Sequence, residues 1–172
     1  MGLLNGTVKL ENNYKLWKEM FNSEKLLLTK LFKDIDVNIE HVGSTSVEGL
    51  LAKPIIDIAI GINDLNDVNK IINQLQDRYN IKNNKEIKEI LLIKENNNET
   101  FYLIHILDIN SDRYRNMIKF RDILINNEII KKEYEKLKIE LSKKYFNNRE
   151  MYTKEKNEFI KKVLNEKSTN VC

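Results

Sequence analysis

The sequence contains little cysteine and little histidine, and each shortage excludes a class of chemistry. Its only cysteine, Cys172, is the last of 172 residues, so no internal disulfide can form and a catalytic thiol is not expected. The only two histidines are His41 and His105. Neither has a serine or a cysteine at a recognisable triad spacing, which argues against a nucleophilic hydrolase.

Long apolar runs are also missing. The sequence has no run of about 18 apolar residues, and it does not open with a charged segment followed by an apolar stretch. We therefore expect a cytoplasmic protein with no membrane partner. Hydrophobic residues make up 41% and charged residues 32% of the chain, which is typical of a compact domain. We expect one domain over residues 1–167, followed by a polar tail at 168–172.

The net charge is small but unevenly distributed. It is +3 overall, with −4 over residues 1–112 and +7 over residues 113–172. The C-terminal helices could present a basic wall to a phosphate-bearing ligand, or could carry the Lys/Glu pairs of an ordinary solvated face. No block of like charge and no basic patch with interleaved aromatic residues is present, so the sequence gives no support for nucleic-acid binding.

Apolar periodicity predicts an alternating order of helices and strands. Helical stripes cover residues 10–33, with a break near Asn22, and residues 64–79, with Asn63 as the cap. Strand patterns are found at residues 37–42, 55–62, 87–94 and 100–109. The last two strands are predicted to form a hairpin, and three helices follow. The expected fold class is therefore α/β (α+β), a small mixed β-sheet packed with helices and a helical C-terminal third.

The most informative segment is residues 39–60, which combines a strand, a turn of small hydroxyl residues and a second strand with a carboxylate. The carboxylate is Asp57, and the turn consists of Gly43, Ser44, Thr45 and Ser46. Backbone N–H groups of a Gly-Ser turn at a helix N-terminus attract anionic oxygens, and an acid on the next strand can hold a metal ion. The segment therefore predicts a phosphate-binding site.

Asp57 lies in an apolar strand that begins after Pro54, where a proline is tolerated. Alternation places Asp57 on one face with Ala59, whose small side chain leaves room beside the carboxylate. A carboxylate in such a strand is costly to bury unless it is paired, hydrogen-bonded or bound to a metal. Two roles stay open: Asp57 is a functional acid, or it caps the turn or pairs with Lys53 or an arginine.

Two cations are candidates for phosphate contact. Lys53 lies at the mouth of the strand that carries Asp57, and Arg121 falls on the apolar stripe of the first C-terminal helix. A half-buried arginine needs an anionic partner. For Arg121 that partner could be Asp57, Glu40 or a ligand phosphate.

Glu40 and His41 precede the turn and are further candidates for the pocket. They point to opposite faces of their strand, so only one of them can share the face of the pocket, and the alternation does not decide which. An imidazole at His41 would favour a bound anion. The alternative is a buried histidine that is bonded to the backbone.

Several segments carry a resemblance to a known family. Glu40-His41-Val42-Gly43-Ser44-Thr45-Ser46-Val47 and Lys53-Pro54-Ile55-Ile56-Asp57 resemble the GrpB family, a branch of the nucleotidyltransferase-fold superfamily. Further matches are Trp17 with Phe21, His105, Phe120-Arg121-Asp122 and Tyr134-Glu135-Lys136-Leu137-Lys138. The resemblance runs over residues 8–164. It implies a nucleotidyltransferase-like fold more than a particular reaction.

The resemblance also implies metal chemistry at Asp57. Nucleotidyltransferases of this superfamily typically carry Gly-Ser, then an acid, one hydrophobe and a second acid, with a third acid on a later strand, to hold two divalent ions. Gly43, Ser44 and Asp57 match this pattern, but Ala59 stands in place of the second acid. The most that we predict is one Mg²⁺, or Mn²⁺ in its place, held by Asp57 and by the phosphates of the nucleotide.

His105 is the expected catalytic partner of Asp57. No acid clearly matches the third position, and the late strand offers His105 there as a ligand or a general base. A lone histidine on an apolar face is also a common core residue, and Leu103 stands where many relatives have a second histidine. Asp108, at the end of the strand, is a weaker alternative for the third acid.

Two functions follow from these expectations. The first is an enzyme that binds a nucleoside triphosphate with Mg²⁺ and transfers a nucleotidyl group to an unidentified acceptor, with Ser44 and Ser46 holding the triphosphate. The second is a non-catalytic nucleotide-binding or accessory protein on the same fold. Ala59 favours the second function, whereas the intact turn and Asp57 favour the first.

Overall fold

The structure, a computed structural model, describes residues 2–84 and 89–166. Its strands are β1 Leu3–Leu4, β2 Val37–Val42, β3 Ile56–Ile62, β4 Asn80–Asn84, β5 Glu89–Asn96 and β6 Glu99–Asp108. Its helices are α1 Tyr14–Leu31, α2 Val68–Leu75, α3 Asp112–Asn126, α4 Glu128–Lys144 and α5 Arg149–Glu166. None of these described helices is long and apolar enough to cross a membrane. The predicted tail at 168–172 and the start of the predicted strand at 87–94 lie outside the described residues.

The strands form one mixed sheet. Its main order is β2-β3-β6-β5-β4, and β1 pairs with β6 outside this order. β3 and β6 run parallel to each other, whereas the other strand pairs are antiparallel. The predicted hairpin corresponds to β5 and β6, which are joined through the turn at residues 97 and 98. The sheet and its helices confirm the predicted mixed α/β architecture.

β3 separates two layers of the molecule. Ile56, Ile58 and Ile60 are buried in the core that α1 and α2 form on one face of the sheet. Ala59 points to the other face, where it packs with Tyr114 of α3. The predicted alternation is therefore confirmed, and Asp57 lies on the face that the C-terminal helices cover. Burial on both faces explains why the sequence of β3 is almost continuously apolar.

α1 is a continuous helix, so the break predicted near Asn22 is wrong. Tertiary contacts explain the continuity. Glu24, two residues further along the helix, is buried, accepts a hydrogen bond from Tyr79 and forms an ion pair with Lys94 at 2.8 Å. These contacts stabilise the helix near Asn22, where its sequence is polar.

Two further boundaries differ from the sequence prediction. β4 has a polar sequence and is recognisable only by its antiparallel pairing with β5. The helix predicted over residues 64–79 is shorter, because a 3-10 turn, Leu65–Asp67, precedes α2. The cap is Asp64 rather than Asn63, since its Oδ1 accepts a hydrogen bond from the Asn66 N–H at 2.9 Å.

The C-terminal helices pack around the segment that follows residue 46. Buried apolar residues join this segment to α3, α4 and α5: Val47, Leu50, Phe120, Leu124, Tyr134, Val163 and Leu164. α4 also holds the backbone of Leu51, whose N–H donates to Glu135 at 2.8 Å and whose carbonyl accepts from Lys138. The basic C-terminal third of the chain therefore borders the turn that was predicted to bind phosphate.

Lys138 predicts a measurable pH dependence of stability. Lys138 is 1% exposed. Burial, and to a smaller extent the charge of Lys156, lower its pKa from 10.5 to about 7. Between these values the unfolded state binds more protons than the folded state, so stability decreases as the pH falls from about 10.5 to about 7. We expect Lys138→Met to reduce the slope by at most about 1.4 kcal/mol per pH unit, whereas the contribution of Lys53, whose pKa burial also lowers, remains.

Urea denaturation at about pH 7.5 and about pH 9.5 measures this slope. Lys136→Met is the matched control, because Lys136 is exposed on the same helix. The control should retain the slope of the wild type. A slope that is unchanged in Lys138→Met would show that Lys138 keeps its proton in the folded state.

Candidate functional site

The turn of Gly43, Ser44, Thr45 and Ser46, the 43–46 turn, lies directly against Asp57. Gly43 has a φ of +70°, which favours glycine, and a Cβ at this position would lie 2.5 Å from Asp57 Oδ2. The register of β2 and β3 also pairs Val42 with Asp57. The backbone of the turn and the carboxylate therefore form one surface where β2 ends and β3 begins.

Two hydroxyl groups of the turn have partners within it or beside it. Thr45 is buried, and its Oγ1 lies 3.1 Å from His41 Nε2 and donates to the Ile55 carbonyl at 3.4 Å. Ser46 Oγ donates to the Gly43 carbonyl at 2.6 Å. These hydroxyls therefore maintain the shape of the turn.

Ser44 is the hydroxyl residue of the turn that meets the C-terminal helices. Its side chain is half-buried, and its Oγ donates to Tyr134 Oη on α4 at 3.5 Å. The 3-10 bonds of the turn use the N–H groups of Ser46 and Val47, which leaves the first N–H groups of the turn without a helical acceptor. The turn therefore contacts α4 through the Ser44 hydroxyl.

Asp57 belongs to a buried ion network that crosses three adjacent strands and consists of Asp57, His105 and Glu89 (the His105 network). His105 Nε2 lies 3.7 Å from Asp57 Oδ1, and its Nδ1 contacts Glu89 Oε1. Arg113, near the start of α3, extends the network, with its Nε 3.9 Å from Glu89 Oε2. The Asp57 side chain is 29% exposed and that of Glu89 is 5% exposed, so Asp57 is the solvent-facing end.

The charges of the His105 network stabilise one another. Burial opposes an imidazolium, but the contacts with Asp57 and Glu89 raise the pKa of His105 above its usual value of 6.5. Burial likewise opposes both carboxylates, but His105 holds the pKa values of Asp57 and Glu89 below their usual ranges. The imidazole ring of His105 therefore lies between two carboxylates that favour its protonated form.

Glu89 is the member of the network that sequence reasoning misses. The sequence signal for Glu89 is the same as for Asp57, namely an acid at the edge of an apolar strand. For Glu89 this strand is Glu89-Ile90-Leu91-Leu92-Ile93. The signal is insufficient because His105 reaches Glu89 only through the pairing of β5 with β6. Asp108, the alternative acid, instead accepts a hydrogen bond from the Asn110 N–H at 2.8 Å and holds the turn after β6.

Three half-buried basic side chains, the basic cluster, act electrostatically on Asp57: Lys53, Arg149 and Lys156. The Nζ atoms of Lys53 and Lys156 lie 5.0 Å and 5.9 Å from the ring centre of Tyr152, which is buried. Burial lowers the pKa of Lys53 well below its usual range, and Lys156 and Arg149 lower it further. None of the three forms a direct ion pair within the part of the chain that the structure describes. Three basic side chains therefore act on Asp57, and one of them, Arg149, also interacts with Glu95.

Arg121 does not pair with Asp57. Its guanidinium donates to Glu40 at 2.7 Å, to Asp122 at 2.8 Å and to the His41 carbonyl at 3.0 Å. Burial opposes the charge, but Asp122 and Glu40 raise the pKa of Arg121 above its usual value. Of the three partners that the sequence allows for Arg121, the structure shows a contact with Glu40. Arg121 therefore connects α3 to β2.

The register of β2 decides which of Glu40 and His41 faces the site. Glu40 pairs with Ala59 and therefore shares the face of the site. His41 pairs with Ile58 on the other face, where its ring stacks on Phe21 with 4.6 Å between ring centres. Burial lowers the pKa of His41 to about 4, so at pH 7 it is neutral and offers no positive charge to an anion.

Two surface cavities do not include the basic cluster. One, of about 260 Å³, opens beside β2, and the predicted site residues among its lining are Glu40, His41, Ser46 and Arg121. The other, of about 600 Å³, follows α3 and is lined by Arg115, Ile118, Lys119, Asp122, Ile123, Asn126 and Asn127. None of the predicted site residues lines this second cavity.

The side chains around Asp57 do not fit a metal centre held by the protein. In the described part of the chain, no group of three or more His, Cys, Asp or Glu side chains is arranged to hold a metal ion. Ala59 offers no oxygen, and its cross-strand neighbours Glu40 and His105 are occupied with Arg121 and Asp57. A divalent cation would also be repelled by the basic cluster.

Solved structures place this architecture in the nucleotidyltransferase fold class. Cid1 in complex with its short product ApU matches with a TM-score of 0.51 and 12% identity, covering 75% of this chain and 40% of that chain. A Cid1 structure described for its RNA terminal uridylyl transferase activity also has a TM-score of 0.51, at 14% identity over 78% of this chain and 42% of that chain. At these identities the likeness establishes the fold.

Nearer relatives define the family. Conserved protein GrpB from Enterococcus faecalis matches with a TM-score of 0.77 and 24% identity, covering 91% of this chain and 99% of that chain. Glutamate-rich protein GrpB of Alkalihalophilus pseudofirmus is 36% identical over 96% of this chain and 99% of that protein. UPF0157 protein YqkA of Bacillus subtilis is 30% identical over 84% of this chain, which spans 43% of that protein. The family model for GrpB protein matches residues 7–166, so the chain belongs to the GrpB family, as its segments predict.

Proposed function

We propose that the protein binds a nucleoside triphosphate whose phosphates lie between the 43–46 turn and the basic cluster. The observation that carries this proposal is the grouping of three half-buried basic side chains, Lys53, Arg149 and Lys156, around Asp57 and beside the turn. Half-buried charges of like sign destabilise one another unless a counter-ion neutralises them. A triphosphate supplies several negative charges and accepts hydrogen bonds from lysine, arginine and backbone N–H groups.

The fold class supports a nucleotide rather than an unrelated anion. Cid1, which shares only the fold with this chain, has RNA terminal uridylyl transferase activity and binds the product ApU. In this proposal Gly43, Ser44 and Lys53 keep their predicted role in phosphate binding. Thr45 and Ser46 shape the turn instead of holding the triphosphate.

Binding without transfer is the function that the geometry favours. His105, the expected general base, already faces Asp57 with its Nε2 and Glu89 with its Nδ1, so both ring nitrogens have carboxylate partners within the protein. Ala59 also leaves Asp57 without the second acid of a two-metal mechanism. Nucleotidyl transfer is the second candidate, favoured by Gly43, Ser44 and Asp57. Release of pyrophosphate with Mg²⁺ or Mn²⁺ that is lost in Asp57→Asn would establish it.

Thermal unfolding in the presence of ATP, GTP, CTP or UTP tests the binding. At about 100 times its dissociation constant, a ligand stabilises the folded state by about 2.7 kcal/mol, which raises the unfolding temperature measurably. We expect this shift with at least one nucleoside triphosphate and no shift with the matching nucleoside, which lacks the phosphates. No shift with any of them, in Mg²⁺, Mn²⁺ or EDTA, would contradict the proposal.

A further inference from the structure

The basic cluster meets Asp57, the acid at which the sequence predicts a metal ion. We infer that Lys53, Arg149 and Lys156 neutralise the phosphates of the ligand directly, so that binding requires no divalent metal ion. This inference rests on the proposed nucleotide site. Side chains of the protein then neutralise the charge that Mg²⁺ neutralises in a metal-dependent site.

The acidic groups on this face of the sheet already have cationic partners. Asp57 lies 3.7 Å from His105 and is further stabilised by the basic cluster. Glu40 shares the face and is paired with Arg121 at 2.7 Å. A divalent ion would gain little from carboxylates whose charges are neutralised within the protein, and it would meet the positive charge of the basic cluster.

α5 directs two members of the basic cluster to the site from one face. Arg149, Tyr152 and Lys156 are spaced three and four residues apart, which places them on the same side of the helix. Tyr152 is 1% exposed and fixes this side against the body of the protein. The Arg149 N–H also donates to the Gly6 carbonyl at 3.3 Å, and its Nη1 donates to Thr100 Oγ1 at 3.4 Å. The fold therefore holds these cations in place before a ligand arrives.

Other lysines of α5 are neutralised locally. Lys161 pairs with Glu158 at 3.1 Å, and Lys162 pairs with Glu166 at 3.8 Å. The members of the basic cluster form no such pair among the described residues, although they are half-buried. An anionic ligand would add to the counter-charge that Asp57 and Glu95 provide.

Titration calorimetry with the four nucleoside triphosphates, in EDTA and in Mg²⁺, tests this inference. We expect the wild type to bind at least as tightly in EDTA as in Mg²⁺. Lys156→Gln should weaken binding about tenfold, whereas Lys156→Arg should retain most of it because the charge is kept. Lys154→Gln is the matched control, since Lys154 is exposed on the same helix, and should change the affinity less than about twofold.

The outcomes separate this inference from the proposed function. A requirement for Mg²⁺, or equal binding by Lys156→Gln and the folded wild type, would overturn the inference and leave the nucleotide site standing. No binding in EDTA or in Mg²⁺ would overturn the proposed function itself. Inorganic tripolyphosphate distinguishes the sources of the phosphate: binding as tight as that of the nucleotide would support the basic cluster and overturn the nucleotide as the ligand. Unfolding curves without ligand verify that each variant is folded.

Discussion

Gly43→Ala is expected to lower the free energy of unfolding by about 2–5 kcal/mol, since two costs add. The φ of +70° costs an alanine about 1–2 kcal/mol. The added Cβ would also lie 2.5 Å from Asp57 Oδ2 and 3.0 Å from Asp57 Cβ, and relieving this overlap adds about 1–3 kcal/mol. Asp57 is held by His105, so its carboxylate cannot turn away without weakening the His105 network.

Gly49→Ala is the matched control for this variant. Gly49 has a φ of +78°, but a Cβ there would meet no heavy atom within 4 Å. The free energy of unfolding of Gly49→Ala should therefore fall only by the backbone cost of about 1–2 kcal/mol. Urea denaturation of both variants at one pH measures the difference. Equal losses would show that the close approach of the turn to Asp57 adds nothing to the cost.

Glu89→Gln is expected to lower the free energy of unfolding by about 3 kcal/mol and to lower the pKa of His105. The side chains of Glu89 and His105 are 5% and 11% exposed, so the pair is buried. Removing one partner of a buried ion pair leaves the other charge uncompensated, which typically costs about 3–5 kcal/mol. The retained contact with Asp57 places the expected loss at the lower end of this range.

The pH dependence of this loss has a defined sign. The pKa of His105 is raised above 6.5, so its stabilisation is complete below about pH 6.5 and is lost as the pH rises through the raised pKa. The pKa values of Asp57 and Glu89 are lowered from 3.8 and 4.5, so their stabilisation is complete above about pH 4.5 and is lost as the pH falls through the lowered values. The loss in Glu89→Gln should therefore be largest between about pH 4.5 and about pH 6.5.

Two measurements check this prediction. Titration of both histidines by NMR gives their pKa values, and urea denaturation at about pH 5.5 and about pH 9 gives the stability below and above the usual pKa of histidine. Glu95→Gln, at an exposed position of the same strand, is the control and should leave His105 unchanged. His41, whose pKa is about 4, serves as an internal reference. A His105 pKa that does not fall in Glu89→Gln would contradict the network.

Local rules account for the parts of the fold and site that the sequence predicts. The alternation of β3 places Asp57 and Ala59 on one face in both the sequence pattern and the structure, because successive strand residues point to opposite faces. The 43–46 turn follows from a glycine that tolerates positive φ, followed by residues with short hydroxyl side chains. The GrpB segments are contiguous in sequence, so the family was also predictable.

Long-range contacts account for the parts that were missed. The break predicted in α1 is absent because Glu24 is held by Tyr79 and Lys94, which come from later elements. β4 has a polar sequence that does not mark a strand, and it exists through its pairing with β5. The same limitation applies to the site, where Glu89 reaches His105 through the sheet.

The sequence by itself determined the family, the mixed α/β architecture, the 43–46 turn and the face of β3 on which Asp57 lies, because these features depend on neighbouring residues. Only the tertiary structure decided what surrounds Asp57. The pairing of β6 with β3 and β5 brings His105 between two carboxylates, and α5 brings Arg149 and Lys156 to the same carboxylate from the far end of the chain. The charge of a buried acid is set by the groups that pack around it, and these groups are distant in sequence.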